Sequence, residues 1–441
     1  MQHKLRNRCG SLSAIHPLSA CGMLTLLALS AANGQSVLIA PPVIPAELRT
    51  AESTGDTNQV DGADGAVSTS PGSAMENKNP FQWGPVVLHP RLGYGFNYST
   101  GLQSQRGQPS RTAINTVSPG IGIDLGKHWD LGYTAAAAFY SDPKFKDNVD
   151  HNLTIHGHTT YEDWGFDLSQ SVAITSDAQV ETAQQTDEQN FSTSFATTYQ
   201  ISSELSTEVT LGQELSSSQG TSQAIANSVG STKDWTLSSS LNYQLGPGVS
   251  TGLGLGFGYD MVDIGPDTTY ENVNLQLNWQ LARKFTLSLN GGAQIRQFLG
   301  SGQSSLVSPT FGAALHYRPF YFTSISLAAS RGINASLFQS QVTESTSVNL
   351  NMSQRLFKRF FLSLNGGYSL STYLDSAPGG APGIHGREDT RTYFGVSLST
   401  AFLKRGNASL TYSKSRNSSS PQTSGFGYNS DQVGVSVSYG Y

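Results

Sequence analysis

Beyond its N-terminal region, this 441-residue chain has no apolar run approaching the about 18 residues that a membrane-spanning helix needs. Its mean hydropathy is −0.27. Charge is scarce too: Asp, Glu, Lys and Arg make up 13% of the residues, against about a quarter in soluble domains. So little charge would scarcely keep a protein dispersed in water, so much of the surface is expected to face another medium. Cysteine is nearly missing. Cys9 and Cys21 both fall in the export region described below, so the mature chain would use neither disulfides nor thiol chemistry. What is plentiful is glycine (46 residues), aromatic side chains (10%) and neutral polar residues. That combination fits a β-barrel, in which lipid-facing and lumen-facing residues alternate and cancel in the mean.

The N-terminus reads as a secretory signal over 1–34. Lys4, Arg6 and Arg8 precede the short apolar core "GMLTLLALSA", and "SAANGQS" supplies small residues for cleavage after Ala32 or Gly34. "LSAC" at Leu18–Cys21 resembles a lipoprotein processing box, but the apolar run follows the cysteine instead of preceding it. Losing three basic and no acidic residues takes the formal charge from −5 to −8. This acidic balance argues against a nucleic-acid partner. Residues 35–80 are rich in Pro, Gly, Ser and acids without periodicity, and are expected to be a disordered periplasmic linker before a barrel over 81–441.

From Val86 onward the chain alternates with a period of two, the mark of strands whose faces meet different media. Val273, Leu275, Leu277, Trp279 and Leu281 alternate with Asn272, Asn274, Gln276, Asn278 and Gln280. Phe285, Leu287 and Leu289 oppose Thr286, Ser288 and Asn290; Val348, Leu350 and Met352 oppose Asn349, Asn351 and Ser353. The polar face carries amides, hydroxyls and glycine where a soluble sandwich would carry Lys and Glu. Short connections ("GKHWD", "EDWG", "LGPG", "ARK", "YRPF", "FKR", "LKRG") alternate with long ones ("STGLQSQRGQPSR", "SSSQGTSQAIANSVGSTKD", "DSAPGGAPGIHGRED"). Short periplasmic turns and long extracellular loops characterise outer-membrane barrels. The pattern predicts an all-β, transmembrane, antiparallel up-and-down barrel of about 18 strands (16–18), the first over 86–98 and the last over 429–441. "ARKFTLSLNGGA" and "FKRFFLSLNGGY" are near-copies that pair Leu287 with Leu362 and Asn290 with Asn365, suggesting a duplicated four-strand unit.

Aromatic residues cluster at strand ends and are expected to form two interfacial girdles. Trp129, Trp164, Phe320, Tyr321, Phe360 and Phe402 lie by the short turns; Tyr98, Tyr140, Tyr259, Tyr270 and Tyr373 lie towards the loops. The last strand, "VGVSVSYGY", is expected to pair with the first and close the wall. Its Val437, Tyr439 and Tyr441 resemble the C-terminal signal read by the barrel assembly machinery.

On "LSLNGG"-type strands, "SPGIGIDLGKHWDLGY" and the terminal "VGVSVSYGY", the region 86–441 resembles the large, diverse group of outer-membrane β-barrel porins. Some members of that group are encoded with exopolysaccharide export systems. The resemblance implies a Gram-negative outer-membrane location, lipid and assembly-machinery partners, a homo-oligomer or polysaccharide-export partners, and no cofactor.

Other motifs point to chemistry less strongly. "GLGLGFG" (Gly252–Gly258) has glycine at every second position, which is strand parity and not a nucleotide loop. His156 and His158 share a strand face and could hold a metal, or act with Glu162 in hydrolysis; two polar lumen residues is the plainer reading. No Ser, His and acid stand out as a catalytic set, so no enzyme is expected. Arg296, Arg355 and Arg391 share parity with the polar faces and are expected in the lumen, as selectivity charges or as wall-stiffening ion pairs. The basic turns Arg283–Lys284, Lys358–Arg359 and Lys404–Arg405 are expected to meet inner-leaflet phosphates. The candidate pore lining is therefore Asn274, Gln276, Asn278, Asn290, Asn349, Asn351 and Asn365, together with Arg296, Arg355, Arg391, His156 and His158. The expected function is passive passage or transport of small polar solutes, saccharides among them. An accessory role in exopolysaccharide export and a non-conducting surface-binding barrel stand beside it.

Overall fold

The computed structural model describes residues 81–105, 107–179, 184–220, 231–263, 265–336, 341–357, 359–375, 386–403, 405–420 and 426–441. The expected signal and linker lie outside these residues. A two-residue strand, β1 (Gln82–Trp83), leads into β2 (Val86–Gln105), β3 (Gln108–Leu125), β4 (Trp129–Tyr140), β5 (Asn148–Tyr161), β6 (Trp164–Gln179) and β7 (Gln184–Gln200). Then follow β8 (Leu205–Gly220), β9 (Ser231–Gly246), β10 (Val249–Val262), β11 (Thr268–Ala282), β12 (Phe285–Phe298) and β13 (Leu306–Tyr317). The wall is completed by β14 (Thr323–Ala335), β15 (Gln341–Leu356), β16 (Phe360–Asp375), β17 (Glu388–Phe402), β18 (Gly406–Ser420) and β19 (Tyr428–Gly440).

Strands β2 to β19 each pair antiparallel with their chain neighbours, and β19 returns to β2 from Asp431↔Thr100 to Gly440↔Arg91. The result is the expected all-β, closed, 18-strand antiparallel barrel. Closure gives each of these strands a partner on both sides and so leaves no edge strand. Register follows the alternation: Leu253↔Leu275, Leu277↔Leu289 and Leu287↔Leu315 keep apolar residues on one face across four strands. That face stays open at the surface, with Leu275 63% exposed. The other face is concave, because side chains two strands apart meet there. Tyr393 on β17 donates to Oδ1 of Asn349 on β15 at 2.8 Å, and Tyr270 on β11 reaches Asp234 on β9 at 3.1 Å.

Strands run farther at the loop end than the alternation implied. The expected loop "STGLQSQRGQPSR" is mostly β-hairpin, paired as far as Gln105↔Gln108. Its Ser- and Gln-rich sequence is polar at nearly every position and so gives no alternation to read. The pairing of β13 with β14 stops at Phe311↔Arg331, two residues from Pro309, which has no N–H to offer a ladder. Glu344 bridges this gap, accepting from Ser308 at 2.7 Å and pairing with Arg331.

Candidate functional site

All twelve expected lining residues occupy inward positions of their strands, but they do not form one site. The amides lie flat. Asn274 faces Gly254 across β10–β11, and a Cβ on Gly254 would overlap Oδ1 of Asn274. Asn290 lies over Gly312, Asn349 over Gly367 and Asn365 over Gly395 in the same way. Glycine opposite asparagine thus lets each amide fold along the wall and not project towards the axis. This also explains "GLGLGFG": its glycines make room for the side chains of Asn242, Asn274, Asn272 and Tyr270. Gln276, Asn278 and Asn351 extend the polar surface from neighbouring inward positions.

Charge is divided round the lumen. Strands β3 to β10 turn Asp124, Asp130, Asp167 and Glu208 inward near the short turns, and Asp150, Glu188, Glu214, Asp234 and Asp260 farther up. Among the described residues these strands turn no Lys or Arg inward. Arg91, Arg296, Arg355 and Arg391 come from the rest of the wall, where Asp389 also turns inward and pairs with Arg387.

Three of the lumenal histidines near the short turns each meet a carboxylate on a neighbouring strand, whereas His316 on β13 faces inward without one among the described residues. The distances are 2.9 Å for His89–Asp124, 3.3 Å for His156–Asp130 and 2.7 Å for His158–Asp167. His156 also stands opposite Ser169. Asp130, His156 and Ser169 therefore form a row of hydrolytic residue types, with no serine–imidazole hydrogen bond, the contact that would activate the hydroxyl, among the described residues. Among the described residues no three His, Cys, Asp or Glu side chains converge to hold a metal.

The arginines have separate places. Arg296 is 3% exposed at its side chain; it pairs with Asp260, donates to Thr268 at 3.0 Å and lies 4.6 Å from the Tyr270 ring centre. Tyr270 lies against the wall because Gly258 opposite has no Cβ. Arg355 sits at the short-turn rim between the rings of Phe322 (5.6 Å) and Phe361 (5.4 Å). Arg391 is half-buried beside Tyr393 at 5.5 Å.

The loop-end girdle needs correction. Tyr98 and Tyr259 face outward, whereas Tyr140, Tyr270 and Tyr373 are on inward positions. Tyr270 shares parity with Asn272 and Asn274, so its facing was readable from the alternation. Tyr373 instead stacks on Arg387 at 4.4 Å. Arg387, with no exposed surface, is also held by Asp389 (2.9 Å from Nε) and by the Phe426 ring (3.5 Å).

Sequence reasoning missed how the mouth narrows. At Gly101 (φ +85°) β2 bulges against the main chain of Asn429, where any Cβ would overlap the Asn429 carbonyl. β2 also comes within 8 Å, Cα to Cα, of β6 and β7. Five strand spacings separate β2 from β7 round the wall, roughly 24 Å, so at the mouth the hairpin approaches the β6–β7 side of the wall. It rests on a small apolar cluster of Leu102, Ile114, Ala138, Phe145 and Tyr428. Tyr140 stacks on Phe145 at 5.3 Å. The β4–β5 loop supplies Phe145 and is tied to β7 by Lys146 N–H to Gln185 (3.0 Å) and Gln185 to the Lys146 carbonyl (2.9 Å).

Val437 and Tyr439 lie on the outward face of the closing seam, opposite Tyr94 and Leu92. The Tyr441 N–H donates to Pro90 at 2.9 Å, and its ring sits between Arg405 (3.6 Å) and the edge of Phe81 (5.0 Å).

No protein-family model matches the chain, and no curated protein matches it. Among solved structures, Acinetobacter baumannii OccAB4 aligns with a TM-score of 0.43 and 12% identity, over 83% of this chain and 100% of that one. Pseudomonas aeruginosa OpdK with vanillate aligns with a TM-score of 0.43 and 10% identity, over 80% of this chain and 98% of that one. Pseudomonas aeruginosa OccK2 (OpdF) with glucuronate aligns with a TM-score of 0.42 and 12% identity, over 80% and 97%. At such identity neither vanillate nor glucuronate is carried over to this chain.

Proposed function

We propose that this chain is an outer-membrane channel for small polar solutes, with its short turns in the periplasm and its long loops outside. The observation that carries the reading is a closed wall of eighteen strands whose inward amides lie flat over glycine. Barrels of this strand number are wide enough for an aqueous channel. The inward β2–β3 hairpin narrows the mouth, which favours small solutes over a polysaccharide chain. Amides and hydroxyls along the wall offer hydrogen bonds to hydroxylated solutes such as saccharides, and the one-sided carboxylates favour cations. Among the described residues the exopolysaccharide and surface-binding readings have no feature of their own in support.

Single-channel conductance of the refolded full chain in a planar bilayer tests the proposal. Discrete steps, reduced by some solutes and not others, are the expected result. A silent bilayer, with folding shown by a heat-modifiable gel shift, would overturn it.

A further inference from the structure

The short-turn rim is divided by charge more sharply than the lumen. The four consecutive turns from β11 to β18 (283–284, 318–322, 357–359 and 403–405) contain seven basic residues and no acidic one. The four turns from β3 to β10 (126–128, 162–163, 201–204 and 247–248) contain Lys127 against Glu162, Asp163 and Glu204. Arg283, Lys284, Arg318, Arg359 and Arg405 are all exposed, and among the described residues none forms an ion pair with a carboxylate.

The same basic turns push large apolar side chains outward. Tyr321 is 94% exposed, Phe357 88% and Leu403 76%, with Phe320 beside them at 72%. Phe357 (φ +48°) and Leu403 (φ +51°) hold the left-handed backbone that bulky residues avoid. Two turns thus adopt an unfavourable conformation and still leave these side chains without cover. Directly above, the outward faces of the same strands carry Trp279, Leu281, Phe285 and Phe360, the apolar band that meets lipid.

We propose that this half-rim is a docking surface for anionic phospholipid, the bases holding headgroup phosphates and the apolar tips entering the adjoining acyl region. Guanidinium and ammonium groups just beyond a lipid-facing band reach headgroup level, where they attract anionic lipid. Rings and apolar side chains among them add burial that a soluble acidic partner would not provide. The acidic turns on the opposite half repel the same lipid, so the barrel collects anionic lipid on its β11–β18 sector. The inference rests on the barrel spanning a membrane but not on its conducting.

The test is native mass spectrometry of the full chain released from nanodiscs of equal phosphatidylglycerol and phosphatidylcholine. The expected result is a retained-lipid ratio favouring phosphatidylglycerol by roughly fivefold or more, the effect of one base at an anionic surface. Replacing Arg283, Lys284, Arg318, Arg359 and Arg405 by Gln should bring the ratio to about unity, whereas Glu162→Gln with Glu204→Gln should not lower it. Both variants alter exposed turns, and a heat-modifiable shift confirms folding. Equal retention by the unaltered protein, or an unchanged ratio in the five-site variant, would overturn the proposal. So would a preference that emerges only after residues 35–80 are deleted, which would give the surface to that acidic segment. Failure to enter the nanodisc at all would count instead against the membrane-spanning reading.

Discussion

Arg296→Met should destabilise the barrel by about 3–5 kcal/mol, the range found when one partner of a buried ion pair is removed. The side chains of Arg296 and Asp260 are 3% and 5% exposed. Without the guanidinium, Asp260 keeps Thr268 at 3.1 Å as a neutral donor, while Asp234 keeps the Tyr270 hydroxyl. Two carboxylates would then share a buried site with no cation. Tyr270 would also lose the charge over its ring. Urea unfolding of the protein in lipid vesicles, followed by tryptophan fluorescence, reads the loss. Arg296→Lys should recover only part of it, because an ammonium lacks the planar fork and stacks less well. Adding Asp260→Asn to Arg296→Met should recover more, since it removes the uncompensated charge itself. A loss under about 1 kcal/mol for Arg296→Met, the scale of solvated ion pairs, would refute the assignment of this cluster as a dry clamp of β9 to β12.

Replacing Asp124, Asp130, Asp167 and Glu208 by their amides should lower cation selectivity, read from reversal potentials in a potassium chloride gradient; an unchanged potential would show that these carboxylates do not face the ion path. Deleting residues 103–108 should raise single-channel conductance, because the β2–β3 hairpin no longer approaches the β6–β7 side of the mouth, and unchanged conductance would place the narrowest point elsewhere. Gly254→Val should cost about 1–3 kcal/mol by overpacking against Asn274, whereas Leu253→Val on the lipid face should cost less; equal unfolding midpoints would undo the account of the flat amides.

The sequence by itself determined the wall. Strict alternation at Val273–Leu281 and Val433–Tyr441, short basic turns and a terminal aromatic strand leave a closed antiparallel barrel as the arrangement that gives each face its medium. Parity alone also decides which residues turn inward, because a strand has only two faces. It covers Asn274 and Arg296, and it covers Tyr140, Tyr270 and Tyr373 as well, whose position at strand ends points instead to a girdle. Tertiary structure decided everything that depends on curvature and on contacts between strands far apart in sequence. Arg296 meets Asp260 two strands away because the inner face is concave, and no local spacing records that. His156 and Asp130, 26 positions apart, meet through the β4–β5 register. The bend at Gly101, and the hairpin's approach to the β6–β7 side of the mouth, were invisible for another reason. Apart from Leu102 the tip of that hairpin is polar on both faces, so the sequence has too little contrast to show where the strand ends or which way it leans.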